Sequence, residues 1–381
     1  MEPLHLHLPG KLVFGDHCLN DFINYFLSLP HNRVFILADP NVKRALDTLS
    51  CAFEMDGLDV FIRTSISSEP TVGTFLELLG EAEDYQIDSV IGIGGGSVLD
   101  VAKLVAAMYR SDRTLDSAFG IDKIPERKLF LACLPTTAGT GSEVSPNSIL
   151  LDEQANMKKG IVSPFLVPDA TYIDPVLTHT VPSHVTAATG IDAMTHCIEA
   201  YANANAHQVV NLFALEGLRL IYNNLEAACK NGSDAAARRE VALGSMYGGM
   251  CLGPVNTAAV HALAYPLGSE YHIPHGVSNA LLLPHVLEFN LTAGPGTYAS
   301  IARAIGVKNG SSETETATEG IRRIGELCKS IGIPEKLTEF NVPVDHVSSL
   351  AKSALSVQRL LKNNLREITQ KDAEFIYYKL F

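Results

Sequence analysis

The sequence predicts an α/β half followed by an all-helical half, and three observations carry that division. Short aliphatic runs alternate with helical patterns up to about residue 182, a glycine-rich turn follows one of those runs, and strand-like runs stop beyond that point. Continuous rather than alternating apolar runs suit strands covered on both faces of a mostly parallel sheet. The expected domains are residues 1–182 and 183–381.

Val34, Phe35, Ile36, Leu37 and Ala38 form the first buried strand, and Asp39, Pro40 and Asn41 turn the chain into a helix. Residues 60–62, 90–93 and 129–133 read as further strands, with an amphipathic helix over about 71–85. From residue 185 onward the periods are helical, as over 207–228 and 234–250, broken by Gly and Pro. Residues 309–319, the most polar stretch, read as a solvated loop.

A chain of 381 residues with 46% hydrophobic and 19% charged residues is an ordinary globular composition, long enough for two cores. A net charge of −13 excludes a broad basic face, and so nucleic acid or an anionic membrane as partner. The seven cysteines contain no C-x-x-C pair, which argues against a disulfide framework and against a thiolate zinc site. Free thiols, no visible leader and no apolar run near the ~20 residues of a membrane helix point to a cytoplasmic protein.

Residues 89–93 run into Gly94, Gly95, Gly96 and Ser97, followed by a helix over 101–109. Glycines let a backbone approach a diphosphate, and a helix N-terminus offers N–H groups to it. Ser97 reads as the N-cap, and Ser97 with Asp100 as a capping box. A capped glycine turn without a ligand satisfies the same pattern. The Rossmann fingerprint places an acidic residue about 20 positions downstream. Here the strand-end acid is Asp39, upstream, where it either binds ribose hydroxyls or only starts a turn. A second loop, 135–143, offers hydroxyls and small residues for ribose and diphosphate oxygens.

Asp192 and His196 are spaced i, i+4, on one helix face. His261 lies in an otherwise apolar helical segment, where an unpaired imidazole is costly. His275 sits between Pro274 and Gly276 in a turn-like context that can aim a side chain. One carboxylate and three imidazoles suit a borderline divalent ion such as Fe²⁺ or Zn²⁺. A lone buried histidine is more often a satisfied core residue, and spacing does not bring four residues together.

The chain resembles the iron-containing (group III) alcohol dehydrogenases over essentially its whole length. Gly94-Gly95-Gly96-Ser97-x-x-Asp100-x-x-Lys103, the 135–143 loop, Gly190-x-Asp192-Ala193-x-Thr195-His196-x-x-Glu199-Ala200-Tyr201 and the 261–276 segment match in order and spacing. The resemblance implies that Asp192, His196, His261 and His275 hold one divalent ion, Fe²⁺ first and Zn²⁺ as the alternative. It places Gly95, Gly96 and Ser97 on the diphosphate loop, and Thr136, Thr137, Ser145, Lys158 and Leu177 along the dinucleotide. Asp39 matches the acidic position that favours NAD over NADP. The implied enzyme has an N-terminal α/β dinucleotide-binding domain and an all-α C-terminal domain, an active site in the cleft between them, and a homodimeric or larger assembly. It exchanges hydride between NAD(H) and a small alcohol, aldehyde or ketone, with the ion polarising the substrate oxygen.

One departure concerns proton transfer. Four residues after the third ligand many members carry a histidine, and this chain has Tyr265. A phenol of reference pKa ~10 is a poor base at neutral pH. His272 is the nearest candidate relay, with a plain surface role as its alternative. The glycerol and maleylacetate branches of the superfamily are the near rivals. A dehydroquinate-synthase-like lyase would want Lys or Arg near the metal motifs, and residues 253–285 contain neither. A non-catalytic NAD-binding protein is a third reading, against which the intact ligand set argues.

Overall fold

The computed structural model describes residues 3–66, 69–155 and 157–381. The chain forms two compact units, one of Leu6–Val181 and one of Pro182–Phe381 with the N-terminal stretch up to His5.

The first unit contains strands β1 (Lys11–Phe14), β2 (Arg33–Ala38), β3 (Asp59–Arg63), β4 (Ser89–Gly94), β5 (Gly120–Ile121), β6 (Phe130–Pro135), β7 (Asn147–Asp152), β8 (Met157–Val162) and β9 (Ala170–Ile173). Helices α1 (Cys18–Leu27), α2 (Lys43–Met55), α3 (Val72–Asp84), α4 (Gly96–Met108) and the short α5 (Leu115–Ala118) lie between them. Six strands make one parallel sheet in the order β1-β9-β6-β4-β2-β3. A smaller sheet, β5-β8-β7, pairs β7 and β8 antiparallel.

Side chains of a strand alternate between faces. Val34, Ile36 and Ala38 of β2 pack with Phe22 and Phe26 of α1 and Leu49 and Phe53 of α2. Phe35 and Leu37 face the other way, toward Phe75 and Leu78 of α3 and Leu104 of α4. Both faces of β2 are covered, so it reads as an unbroken apolar run. Burying one such side chain stabilises by roughly 1.5–3 kcal/mol.

Lys103 of α4 has no solvent exposure. Its Nζ donates to the carbonyls of Ser142 and Ser145, both at 2.8 Å, and to the Asn147 carbonyl and Ser142 Oγ. Asp100, one turn earlier, accepts from Ser142 Oγ and from Ile149 N at 2.9 Å. These two side chains strap the segment after β6 to α4.

That strap explains a difference from the sequence reading. Asp100 is occupied with Ser142 and Ile149, so no capping box forms with Ser97. The helix starts earlier than expected, at Gly96. Gly95 is its N-cap, in extended backbone and with no side-chain cap.

The second unit is helical: α6 (Ser183–Tyr201), α7 (Gln208–Lys230), α8 (Ala235–Leu252), α9 (Ala259–Tyr271), α10 (His275–Asn290), α11 (Pro295–Ala304), α12 (Glu313–Ser330), α13 (Val347–Leu355), α14 (Gln358–Leu361) and α15 (Gln370–Tyr378). Among the described residues no strand follows Ile173. α6 is buried along most of its length and packs against α7, α8 and α10. A helix buried along most of its length needs mostly small and apolar residues, which α6 has apart from Asp192, His196 and Glu199.

Residues 309–319 are only partly loop. Ser312 caps α12 by accepting from Glu315 N at 3.1 Å, and Glu313 and Glu315 occupy its first turn. Acids there complement the helix dipole. The polarity of this stretch is that of an exposed, capped helix start.

Lys103→Met should lower folding stability by on the order of 3 kcal/mol, because it strips buried carbonyls of their donor and leaves buried Asp100 without its positive neighbour. Chemical denaturation measures this, and an unchanged midpoint would show that the strap contributes nothing.

Candidate metal centre

α6 presents Asp192, His196 and Glu199 at i, i+4 and i+7, which places all three on one side of the helix. α9 contributes His261 and α10 contributes His275. The structure gathers them about one oxygen. Asp192 Oδ1 lies 3.4 Å from His261 Nε2 and 3.6 Å from the Nε2 atoms of both His196 and His275. Metal bonds of about 2.0–2.2 Å give a tetrahedral site edges of roughly 3.3–3.6 Å, so these separations fit one small divalent ion. Ligand atoms of Asp192, His261 and His275 all fall within 4.8 Å of one another. The fourth residue, His196, stacks its ring on His261 with centroids 4.8 Å apart.

Glu199 stands behind His261. Its carboxylate takes His261 Nδ1 at 2.6 Å and the backbone N–H groups of Ala258 at 3.0 Å and Val260 at 2.6 Å. Donating Nδ1–H to Glu199 leaves the Nε2 lone pair for an ion. Burial alone would lower the His261 pKa, but Glu199 and Asp192 override it and lift it to about 9. Burial likewise opposes ionisation of Asp192, yet His196, His275 and His261 hold its carboxyl below the usual range.

His275 is not in a turn. It is the first residue of α10, with Pro274 as N-cap. Gly276 explains its reach: a Cβ there would stand 2.1 Å from the Ala188 carbonyl oxygen of α6. Only glycine lets α10 approach α6 so closely. The His275 side chain is 31% exposed while the other three are 4–6% exposed, so solvent reaches the cluster from its side. Cys197, next to His196, is buried, and burial pushes its thiol far above the usual range, unlike a metal thiolate.

In the first unit the glycine loop lies among the residues that its sequence context suggested. A Cβ on Gly96 would come 2.4 Å from the Thr140 side chain, one on Gly95 3.3 Å from Thr137 Oγ1, and one on Gly94 3.2 Å from Asp39 Cβ. Asp39, Gly94–Gly96, Thr137 and Thr140 are therefore neighbours. Thr136 N donates to the Gly94 carbonyl at 2.9 Å, and Ser97 lies in the first turn of α4. Asp39 Oδ1 accepts from Asn41 N and Nδ2 at 2.8 and 2.9 Å, so this carboxylate also starts a turn. Ser145 is buried, gives its carbonyl to Lys103, and has an Oγ without a hydrogen-bond partner among the described residues. Lys158 on β8 pairs with Glu69. Leu177 borders a cavity of about 480 Å³ together with Asn41, Val42 and Arg44.

The sequence profile "Iron-containing alcohol dehydrogenase" matches residues 9–175, and "Fe-containing alcohol dehydrogenase family, C-terminal" matches residues 186–381. The chain belongs to the iron-containing alcohol dehydrogenase family. It is 36% identical over 387 residues to "Long-chain-alcohol dehydrogenase 1" of Geobacillus thermodenitrificans, covering 100% of this chain and 98% of that one. It is 34% identical to a 1,3-propanediol dehydrogenase of Citrobacter freundii over 98% of each chain. The crystal structure of a 1,3-propanediol oxidoreductase superposes with a TM-score of 0.95 over 100% of both chains at 30% identity. The chain is thus an oxidoreductase, and no helix among the described residues is long and apolar enough to cross a membrane.

Against that family background, the two proton-relay candidates stand apart from each other. Tyr265 is half-buried, with its ring centroid 6.1 Å from that of His275. His272 is exposed at the C-cap of α9, in left-handed backbone at φ 55°. Two buried polar residues had no role assigned from the sequence, Glu199, present in the 190–201 motif, as the partner of His261, and Asn279 beside Asp192. Each had a signal: Glu199 shares the i, i+4, i+7 face, and Asn279 lies i+4 from His275.

Gly276→Ala should cost about 1–3 kcal/mol by forcing α10 from α6. It should also reduce bound metal, measured by thermal unfolding and elemental analysis of the same preparation.

Proposed function

We propose that the protein is a metal-dependent, NAD-linked alcohol dehydrogenase acting on a small alcohol and its aldehyde or ketone. The observation that carries this reading is the convergence of Asp192, His196, His261 and His275, with Glu199 fixing His261. When bound, the divalent ion, Fe²⁺ by the family's usage, supplies Lewis-acid polarisation of the substrate oxygen, and the nicotinamide supplies the hydride acceptor.

The chain's own groups supply placement and charge. Asp192 gives the only negative charge among the four ligands, which leaves a net positive field for an alcohol oxygen. Glu199 keeps His261 in one tautomer and orientation. The uncapped start of α4 offers N–H groups to a diphosphate, beside the Thr137 and Thr140 hydroxyls. Asp39 at the end of β2 accepts ribose hydroxyls and repels a 2′-phosphate, which supports NAD over NADP. The cavity bordered by Leu177 and Val42 is suited to the adenine end. Tyr265 adjoins His275 and orders water or substrate there, since a phenol does not act as a base near neutral pH.

Asp192→Ala and His275→Ala should each abolish both metal content and turnover, read by elemental analysis and nicotinamide absorbance with an alcohol panel. Full activity in a metal-free variant would sink this reading. Asp39→Gly should shift the NAD-over-NADP preference by about tenfold or more, ~1.4 kcal/mol. The ratio of kcat/KM for the two cofactors measures it.

A further inference from the structure

Asn279 sits against three of the four ligands without being one of them. It lies one turn after His275 on α10 and has no solvent exposure. Its Nδ2 donates to Asp192 Oδ1 at 2.7 Å and stands 3.2 Å from His261 Nε2 and 3.4 Å from His275 Nε2. Its Oδ1 is buried without a hydrogen-bond partner among the described residues.

Those two facts point the same way. A buried carbonyl left unpaired is a cost, and leucine would fill similar space without it. The cost is accepted at a position where the amide's other end does something that an apolar side chain does not. The amide nitrogen is a pure donor. With His261 Nδ1–H committed to Glu199 and the imidazoles deprotonated, as metal ligands must be, the atoms around Nδ2 are a carboxylate oxygen and Nε2 lone pairs, all acceptors. Acceptors facing one another repel, and each would otherwise rotate toward a donor elsewhere.

We propose that Asn279 is a positioning residue that holds the Asp192 carboxylate, and with it the convergence of the ligand atoms, ready for the divalent ion. It acts through Asp192, and its amide nitrogen has no lone pair to give a metal. The inference rests on Asp192, His196, His261 and His275 being the ligands, and it adds a fifth residue on which their affinity depends. Removing the donor frees Asp192 to turn, so the ion meets a carboxylate that must be re-ordered on binding. Partners of this kind typically contribute 10–100-fold to metal affinity.

The test uses the full chain stripped of metal by chelation and titrated with Co²⁺ or Zn²⁺ against a competing chelator. Wild type, Asn279→Leu, Asn279→Ser and Asp192→Ala are compared. Asn279→Leu should bind 10–100-fold more weakly, with an altered Co²⁺ ligand-field spectrum, while the metal-free chain still unfolds cooperatively. Asn279→Ser, which keeps a donor hydroxyl, should fall between Asn279→Leu and wild type. The serine variant also carries the test if the leucine variant does not fold. Wild-type affinity and spectrum in both Asn279 variants would overturn the inference while leaving the ligand set intact, provided Asp192→Ala loses the ion. If wild type binds no ion that Asp192→Ala loses, the ligand reading itself fails.

Discussion

A carboxylate with 3% exposure, as Asp192 has, must either be surrounded by donors and positive groups or give up its charge. The second unit is arranged to meet that demand. Two of the groups that answer it, His261 and His275, come from helices other than α6, and Asn279 adds a neutral donor from α10. His261 in turn requires Glu199, whose own lone pairs are met by two backbone N–H groups at the start of α9. A chain of compensation thus runs from one buried oxygen to the first turn of α9. The close packing of α6 and α10 at Gly276 is part of the same demand, because the imidazole of His275 reaches Asp192 only if the two backbones nearly touch.

The fold was largely legible where burial is two-sided. β2, β4 and β6 are covered by helices on both faces, so their apolar runs stand out within a residue or two of their observed ends. β7 and β8 were not legible. Their faces are partly exposed, Lys158 and Lys159 interrupt β8, and a hairpin of that kind shows no continuous run. β9 is only four residues long, and β1 is partly exposed throughout, which leaves little pattern to read.

The metal ligands were visible as residue types and as one i, i+4 pair, but their convergence depends on helix packing that spacing does not encode. Ser97 illustrates a different limit. Serine before a helix is a good cap on propensity alone, yet the N-cap is Gly95, two residues nearer the strand. Tertiary hydrogen bonds to Ser142, Ser145 and Ile149 occupy Asp100 and Lys103 of this helix, and those partners lie about forty to fifty residues away in sequence.

The same helix start bears on how far this protein could be stabilised. A first turn capped by Gly95 forgoes a few tenths of a kcal/mol that Ser, Thr, Asp or Asn would return. Placing an acid at Gly95 would recover that energy for folding and set a fixed negative charge where the proposed diphosphate must lie. Thermostability gained at this position would therefore be subtracted from cofactor affinity, and selection that acts on turnover would keep the helix incomplete.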